Sequence, residues 1–385
     1  MEILALNSIS PVVDDVWKKK YKLVKECKAP AAIMLRSFKM HDYALPESVL
    51  CVGRAGAGTN NIPSDKYAEK GVVVFNSPGA NANAVKELVL LSLLMCGRNV
   101  IDSISWAQSL KGRGADVPSL VEKGKGDFVG GEIKGKTLGV VGLGAIGILV
   151  ANAAVALGMN VIGFDPFISV KGAWNLSRKV KPETDLNTLL KNSDFVSLHA
   201  PLNAQTKGMI GKDTLKIMKD GVNIVNASRA ELVDTAALKQ AIKTGKVHRY
   251  VVDFPTEEIL GEKNIIPIPH LGASTPEAED NCAYMIAEQI QDFIENGNIT
   301  NSVNFPTCVL PKNGKQRVTV VHKNVKGVIG ALTEFIGKQG INISAFVSQS
   351  SGDYAYAILD LDTAIESKAV DQIKQLPNIV KVRVI

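Results

Sequence analysis

Arg229, Glu257 and His270 are the residues of this chain whose types could do chemistry together. Taking a hydride from an alcohol carbon needs a base for the hydroxyl proton, a partner that orients the base, and a cation for an anionic substrate. Histidine exchanges protons near neutral pH and suits the base. A carboxylate beside it fixes the tautomer and favours the protonated ring. Arginine grips a carboxylate through two parallel N–H bonds and so fixes the reacting carbon. Each residue also has a plainer reading. His270 follows a proline and could cap a loop, Arg229 could bond a helix end, and Glu257 could be a solvated charge, with Glu258 competing for its role. His41 and His248 have no suggestive neighbours and read as surface.

A hydride acceptor is suggested upstream. An apolar strand runs into Gly142-Leu143-Gly144-Ala145-Ile146-Gly147, a helical segment follows, and a second apolar strand ends at Asp165. Gly142 permits a tight turn, Gly144 lets backbone approach a pyrophosphate, and Gly147 lets helix and strand pack closely. Free N–H groups at the helix start face the phosphates. An acid roughly 20 residues beyond the first glycine accepts bonds from ribose hydroxyls and repels a 2′-phosphate. NAD is therefore expected rather than NADP. Four more segments, residues 197–206, 226–234, 251–258 and 269–275, lie at or after strand ends, where a doubly wound sheet binds its ligands. They add His199, Ala200, Pro201, Ala227, Ser228, Asp253 and Gly272 to the expected cofactor contacts.

Alternating strands and helices must position these groups. Strands are expected at residues 3–6, 32–35, 49–52 and 72–75, then at 161–164, 195–199, 222–226 and 250–253. One long helix is expected over 85–106 and another over 276–295, with residues 110–135 as loop. This is an α/β pattern of two doubly wound, Rossmann-like domains. A discontinuous substrate domain would take residues 1–97 and 275–305, and the NAD domain 98–274. Residues 306–316 read as a linker, with Pro306, Pro311 and Gly314 in or beside them. Residues 317–385 carry a compact βαββαβ pattern that could fold alone or pair edge to edge with a copy of itself.

At 385 residues, 46% of them hydrophobic, the chain can fill two or three cores. No uncharged apolar run reaches the roughly 18 residues of a membrane span. The N-terminus lacks a basic region ahead of its apolar residues, so no signal peptide is expected. Five cysteines are scattered without paired spacing, which argues for reduced thiols in a cytoplasm and against a metal site. The net charge of +6 is dispersed and has no aromatic-basic stripe, so a small anionic ligand is favoured over nucleic acid.

The segments around Arg229, Glu257 and His270 resemble, in order and spacing, the D-isomer-specific 2-hydroxyacid dehydrogenase family. That family has arginine in an N-x-x-R segment, a glutamate further on, and histidine in P-H-x-G. The resemblance covers residues 1 to about 305 and implies these three as catalytic residues. Ala230 and Glu258 depart from the glycine and proline usual in the family at those positions. Residues 51–62 and 74–90 resemble the substrate loops of the branch that oxidises 3-phospho-D-glycerate. Arg54, assisted by Arg36, would then hold the phosphate, and Asn76 with the backbone of Gly79 and Ala80 would meet the carboxylate. Residues 317–385 resemble an ACT domain, through HKNVKGVIG and GINIS. In that branch L-serine binds between two such modules, which implies His322, Asn324 and Asn342 as effector contacts. Turn-forming asparagines are the plainer reading of the last two. The resemblance also implies a homodimer or homotetramer. A reductase of another D-2-hydroxy acid, and a non-catalytic NAD(H)-sensing protein, stay open as alternatives at this point.

Overall fold

The computed structural model describes residues 1–385. The chain divides into two compact units, Met1–Asn81 with Pro276–Ile385, and Ala82–Thr275.

The first unit holds a five-stranded parallel sheet in the order Lys22–Val24, Glu2–Ala5, Ala32–Leu35, Cys51–Arg54, Val73–Asn76. Consecutive apolar residues feed opposite faces. Ile3, Ala32, Met34, Val73 and Phe75 line one core, while Leu4, Ile33, Leu35, Val52 and Val74 line the other. Such continuous apolar strands belong to a sheet buried on both sides. The 21-residue helix Pro276–Asn296 covers the first face with Ala283, Ile286, Ile290 and Phe293.

The C-terminal segment of this unit folds as βαββαβ. Its antiparallel sheet has the order Ile343–Ser351, Tyr354–Leu361, Gln316–Lys323, Ile379–Val384. Helices Val328–Lys338 and Ser367–Lys374 close one face over Val318, Val320, Ala357 and Leu359. The alternate residues Val321, Tyr356 and Ile358 join the core around Phe293 instead. The expected independent module therefore shares its second face with the N-terminal sheet's core. The stretch read as a linker is partly built in as well: Ile299 and Cys308 form an antiparallel bridge, and Cys308 is buried.

The second unit holds a seven-stranded parallel sheet in the order Ile265–Pro267, Val247–Val252, Val222–Asn226, Phe195–Leu198, Thr137–Val141, Asn160–Phe164, Lys181–Pro182. Its two faces carry separate cores. Residues 85–106, expected as one helix, form two, Ala82–Gly97 and Val100–Ser109, bent by 69°. The cause lies about 150 residues further along the chain. The buried Arg249 guanidinium donates to the carbonyls of Met95 (2.7 Å) and Arg98 (3.1 Å) and to the Asn99 side chain, which ends the first helix. Helix Ala82–Gly97 packs on Ala145–Ala156 through Val85, Val89 and Leu93, and so lies with the second unit. The expected loop at 110–135 contains a further short helix, Val117–Gly124. No single helix is long and apolar enough to cross a membrane.

One buried ion pair stands out. Arg317 Nε and Nη2 donate to the Asp360 carboxylate at 2.6 and 2.8 Å, and both side chains are fully buried. Burial alone would raise the Asp360 pKa, but the Arg317 bonds outweigh it and hold it below the usual carboxylate range. A depressed folded-state value stabilises the fold above the unfolded Asp value of about 3.9, and that gain is lost as pH falls through the folded value. Asp360→Asn leaves the Arg317 charge buried and unpaired, which typically costs about 3–5 kcal/mol. Denaturant titrations at pH 7 should show that loss, and at pH 3 the gap between variant and parent should shrink.

Candidate active site and its cofactor turn

Strand Thr137–Val141 delivers the chain into the glycine turn, and helix Ala145–Ala156 leaves it. Gly142 has φ +94°, and a Cβ there would lie 2.7 Å from the His199 carbonyl. A Cβ on Gly147 would overlap the Gly142 carbonyl oxygen. Around Gly144 there is open space. The first helical amides, Ala145, Ile146 and Gly147, have no carbonyl one turn back. The turn is thus crowded on its protein side and open on the side where donors point. Asp165 accepts from the Leu143 amide at 2.7 Å through one carboxylate oxygen and from the Phe167 amide at 2.8 Å through the other. These residues fit a dinucleotide whose pyrophosphate meets the helix start and whose ribose meets Asp165.

The other strand ends of this sheet surround that turn's level. His199 Nε2 bonds Ser197 Oγ at 2.8 Å, and its Nδ1 is buried without a partner. Burial pushes the His199 pKa down to about 4, so the ring is neutral. Ala200 is buried and Pro201 is exposed beside it. The fully buried Asn226 organises the next turn: its side chain donates to the Arg229 carbonyl at 2.8 Å and accepts from the Ser228 amide at 3.1 Å. Ser228 Oγ ties this turn back to the Leu198 carbonyl, and Ala227 is half-buried within it.

His270 is exposed at the end of strand Ile265–Pro267, with a left-handed φ of +55° that non-glycine residues rarely adopt. Its amide donates to the Ile268 carbonyl at 2.9 Å. Asp253 holds the next two residues, accepting from the amides of Leu271 (2.7 Å) and Gly272 (2.8 Å). Burial raises the Asp253 pKa, opposed by those two amides and by the His270 charge. Expected as a cofactor contact, Asp253 here spends both oxygens on the loop that carries His270. Phe254 was not singled out from sequence. Its ring lies 4.4 Å from the His270 ring and 5.5 Å from the Arg229 guanidinium, so one aromatic side chain packs against both. Glu257 is not joined to His270. It stands exposed on the one-turn helix Glu257–Ile259, lining a cleft with Glu258, Asp234 and Lys207.

The first unit carries the other expected residues. Arg54, half-buried at the end of strand Cys51–Arg54, donates through Nε to the Arg36 carbonyl at 3.0 Å. Arg36 forms an ion pair with Glu279 of helix Pro276–Asn296. The loop between them is held by Asn7, whose side-chain oxygen accepts from the amides of Arg36, Ser37 and Phe38 at 3.1, 3.1 and 2.9 Å. Asn76 donates to the Ala57 carbonyl at 2.6 Å, and Gly79, at φ +81°, leads to Ala80 at the helix entrance. In the C-terminal segment His322 is buried, with Nδ1 2.8 Å from the Lys323 carbonyl and Nε2 unpartnered. Asn324 and Asn342 are exposed and bond the Gly352 carbonyl and the Asp362 carboxylate.

Residues 91–273 match the model of the D-isomer specific 2-hydroxyacid dehydrogenase NAD binding domain, and residues 317–378 match that of the ACT domain. The chain is 33% identical over 352 residues to D-3-phosphoglycerate dehydrogenase of Escherichia coli (strain K12), covering 88% of this chain and 82% of that one. It is 32% identical over 419 residues to D-3-phosphoglycerate dehydrogenase 1 of Saccharomyces cerevisiae, covering 98% and 85%. Among solved structures, NAD+-bound 3-phosphoglycerate dehydrogenase of Entamoeba histolytica aligns with a TM-score of 0.62 at 25% identity, over 79% of this chain and 98% of that one. The chain belongs to the D-isomer-specific 2-hydroxyacid dehydrogenase family, as an NAD-dependent oxidoreductase with a C-terminal ACT domain.

Proposed function

We propose that the enzyme oxidises 3-phospho-D-glycerate to 3-phosphooxypyruvate, the first step of serine synthesis, in the cytoplasm. The observation that carries this reading is the Arg229–Phe254–His270 cluster beside a cofactor turn. NAD, held by the glycine turn and Asp165, would supply the hydride acceptor for carbon 2 of the substrate. The chain's own residues do the rest. His270 takes the hydroxyl proton, and the Asp253 grip on Leu271 and Gly272 fixes where its ring stands. Arg229 binds the carboxylate, with the Phe254 ring limiting its freedom as well as that of His270. Arg54, supported by Arg36, binds the phosphate, and Asn76, Gly79 and Ala80 border the carboxylate. Glu257 is the proposed carboxylate partner that orients His270, with Glu258 beside it as the competing acid.

L-Serine is the proposed feedback effector, held by His322, Asn324 and Asn342. The buried, unpartnered Nε2 of His322 supports a polar ligand there. The free edge strand Ile343–Ser351 has the sequence ISAFVSQSS, without a charge. An uncharged edge of that length favours pairing with a second copy, which supports a homodimer or homotetramer.

Steady-state assays test the reading. His270→Gln should lower kcat by about 10²–10⁴-fold, the usual worth of general acid–base catalysis, and turnover near the parent's would remove the role. Arg54→Ala should raise KM for phosphooxypyruvate roughly 10–100-fold, as for a lost charged hydrogen bond. The same change should leave hydroxypyruvate and glyoxylate turnover nearly unaltered. If those substrates outcompete phosphooxypyruvate in the parent enzyme, the substrate assignment fails. For the effector, L-serine should inhibit the parent, and Asn324→Ala with Asn342→Ala should abolish both inhibition and the thermal shift that binding produces. Inhibition unchanged in the double variant would place serine elsewhere.

A further inference from the structure

Helix Pro276–Asn296 reaches from the substrate arginines to the ACT sheet, and both of its ends are held by charged side chains. At about 1.5 Å per residue its 21 residues span roughly 30 Å. At the last turn, Arg383 of the ACT sheet donates to the carbonyls of Phe293 (3.2 Å) and Ile294 (3.0 Å), and its guanidinium lies 4.5 Å from the Phe293 ring centre. Arg317 donates to the Asn296 carbonyl at 2.7 Å, and Tyr356 to the Gly297 carbonyl at 2.7 Å. At the first turns, Glu279 pairs with Arg36 and Asp280 accepts from Ser10 at 2.5 Å.

Between the ends the helix has no slack. Gly53 packs so closely on Ile286 that a Cβ would overlap it, and Trp17 donates to the Ala287 carbonyl at 3.1 Å. Gly53 precedes Arg54 in the same strand. An axial or rotational shift of this helix must therefore move Arg36 through Glu279 and press on the strand that presents Arg54. Close-packed interiors transmit such shifts instead of absorbing them.

We propose that Arg383 and Arg317 are positioning residues for substrate binding, acting through helix Pro276–Asn296 on Arg36 and Arg54. The ACT sheet thus sets substrate affinity even without effector, and any effector that displaces the sheet reaches the substrate arginines along this helix. The inference rests on Arg54 and Arg36 as the substrate cations, and the experiment separates the two.

Arg383→Ala, Arg383→Lys and Arg54→Ala are compared in the full chain for KM of phosphooxypyruvate, KM of NADH and kcat. Arg383→Ala should raise KM for phosphooxypyruvate roughly three- to tenfold, within the roughly 2- to 30-fold span of couplings carried through packed elements. KM for NADH and kcat should stay within about twofold, a split that general loss of structure would not produce. Arg383→Lys, which keeps the charge but loses the fork that reaches both carbonyls, should fall between. An unchanged KM for phosphooxypyruvate in either folded Arg383 variant overturns the inference, as does an equal fall in kcat and in affinity for both ligands. Should Arg383→Ala not accumulate, Arg383→Lys alone decides. If Arg54→Ala leaves KM unaltered, the substrate assignment itself is wrong. If Arg54→Ala raises KM and Arg383→Ala does not, only the coupling is lost.

Discussion

The last carbonyls of a helix need donors from outside it, and helix Pro276–Asn296 takes most of its own from the other end of the chain. Arg317 and Arg383 supply them, Tyr356 bonds the Gly297 carbonyl just beyond, and cations there also oppose the negative pole of the helix. The same residues lie among or beside the apolar side chains that cover Phe293, so hydrogen bonding and burial act at one place. Arg317 could not sit there alone. Asp360 offsets its charge with two bonds and leaves its third nitrogen free for Asn296. The first unit is therefore held from both termini of the chain, with this helix as the shared wall of its core.

The second unit follows a different rule. Its functional groups sit at strand ends because a parallel sheet leaves its loops there, and buried or half-buried polar side chains then shape each loop. Asn226 shapes the Arg229 turn, Asp253 the His270 turn, and Asp165 the glycine turn. In each case a side chain accepts or donates where backbone would otherwise be unsatisfied at the edge of the sheet. The exposed Arg229 and His270 owe their placement to these buried neighbours and to Phe254.

Much of this was legible in the chain. The glycine turn and Asp165 declare themselves because each residue type answers a steric or electrostatic need at a fixed spacing. The strands at 32–35 and 222–226 matched because apolar runs bounded by turn residues have few other uses. What escaped depends on partners remote in sequence. The break near residue 98 is made by Arg249, and a helical periodicity carries no trace of it. Asn7 gathers three amides of a loop about 30 residues away, which a lone asparagine does not announce. Phe254 looks like ordinary packing until Arg229 and His270 are seen against it. The buried second face of the ACT sheet had left a mark: YAYAILDL shows no polar alternation, as expected of a strand covered on both sides.

Asp165 has a double occupation that bears on cofactor exchange. Its two carboxylate oxygens already receive the amides of Leu143 and Phe167, and a carboxylate has about four lone-pair sites in all. A bound ribose would share those oxygens with the backbone that forms its own pocket. Redesigning this enzyme to accept a 2′-phosphate therefore cannot be done by charge alone. Removing Asp165 would free the half-buried Leu143 amide and the exposed Phe167 amide, and loosen the turn on which the pyrophosphate rests. A workable redesign would need a neutral acceptor at that position, serine or asparagine, with the new cation placed elsewhere.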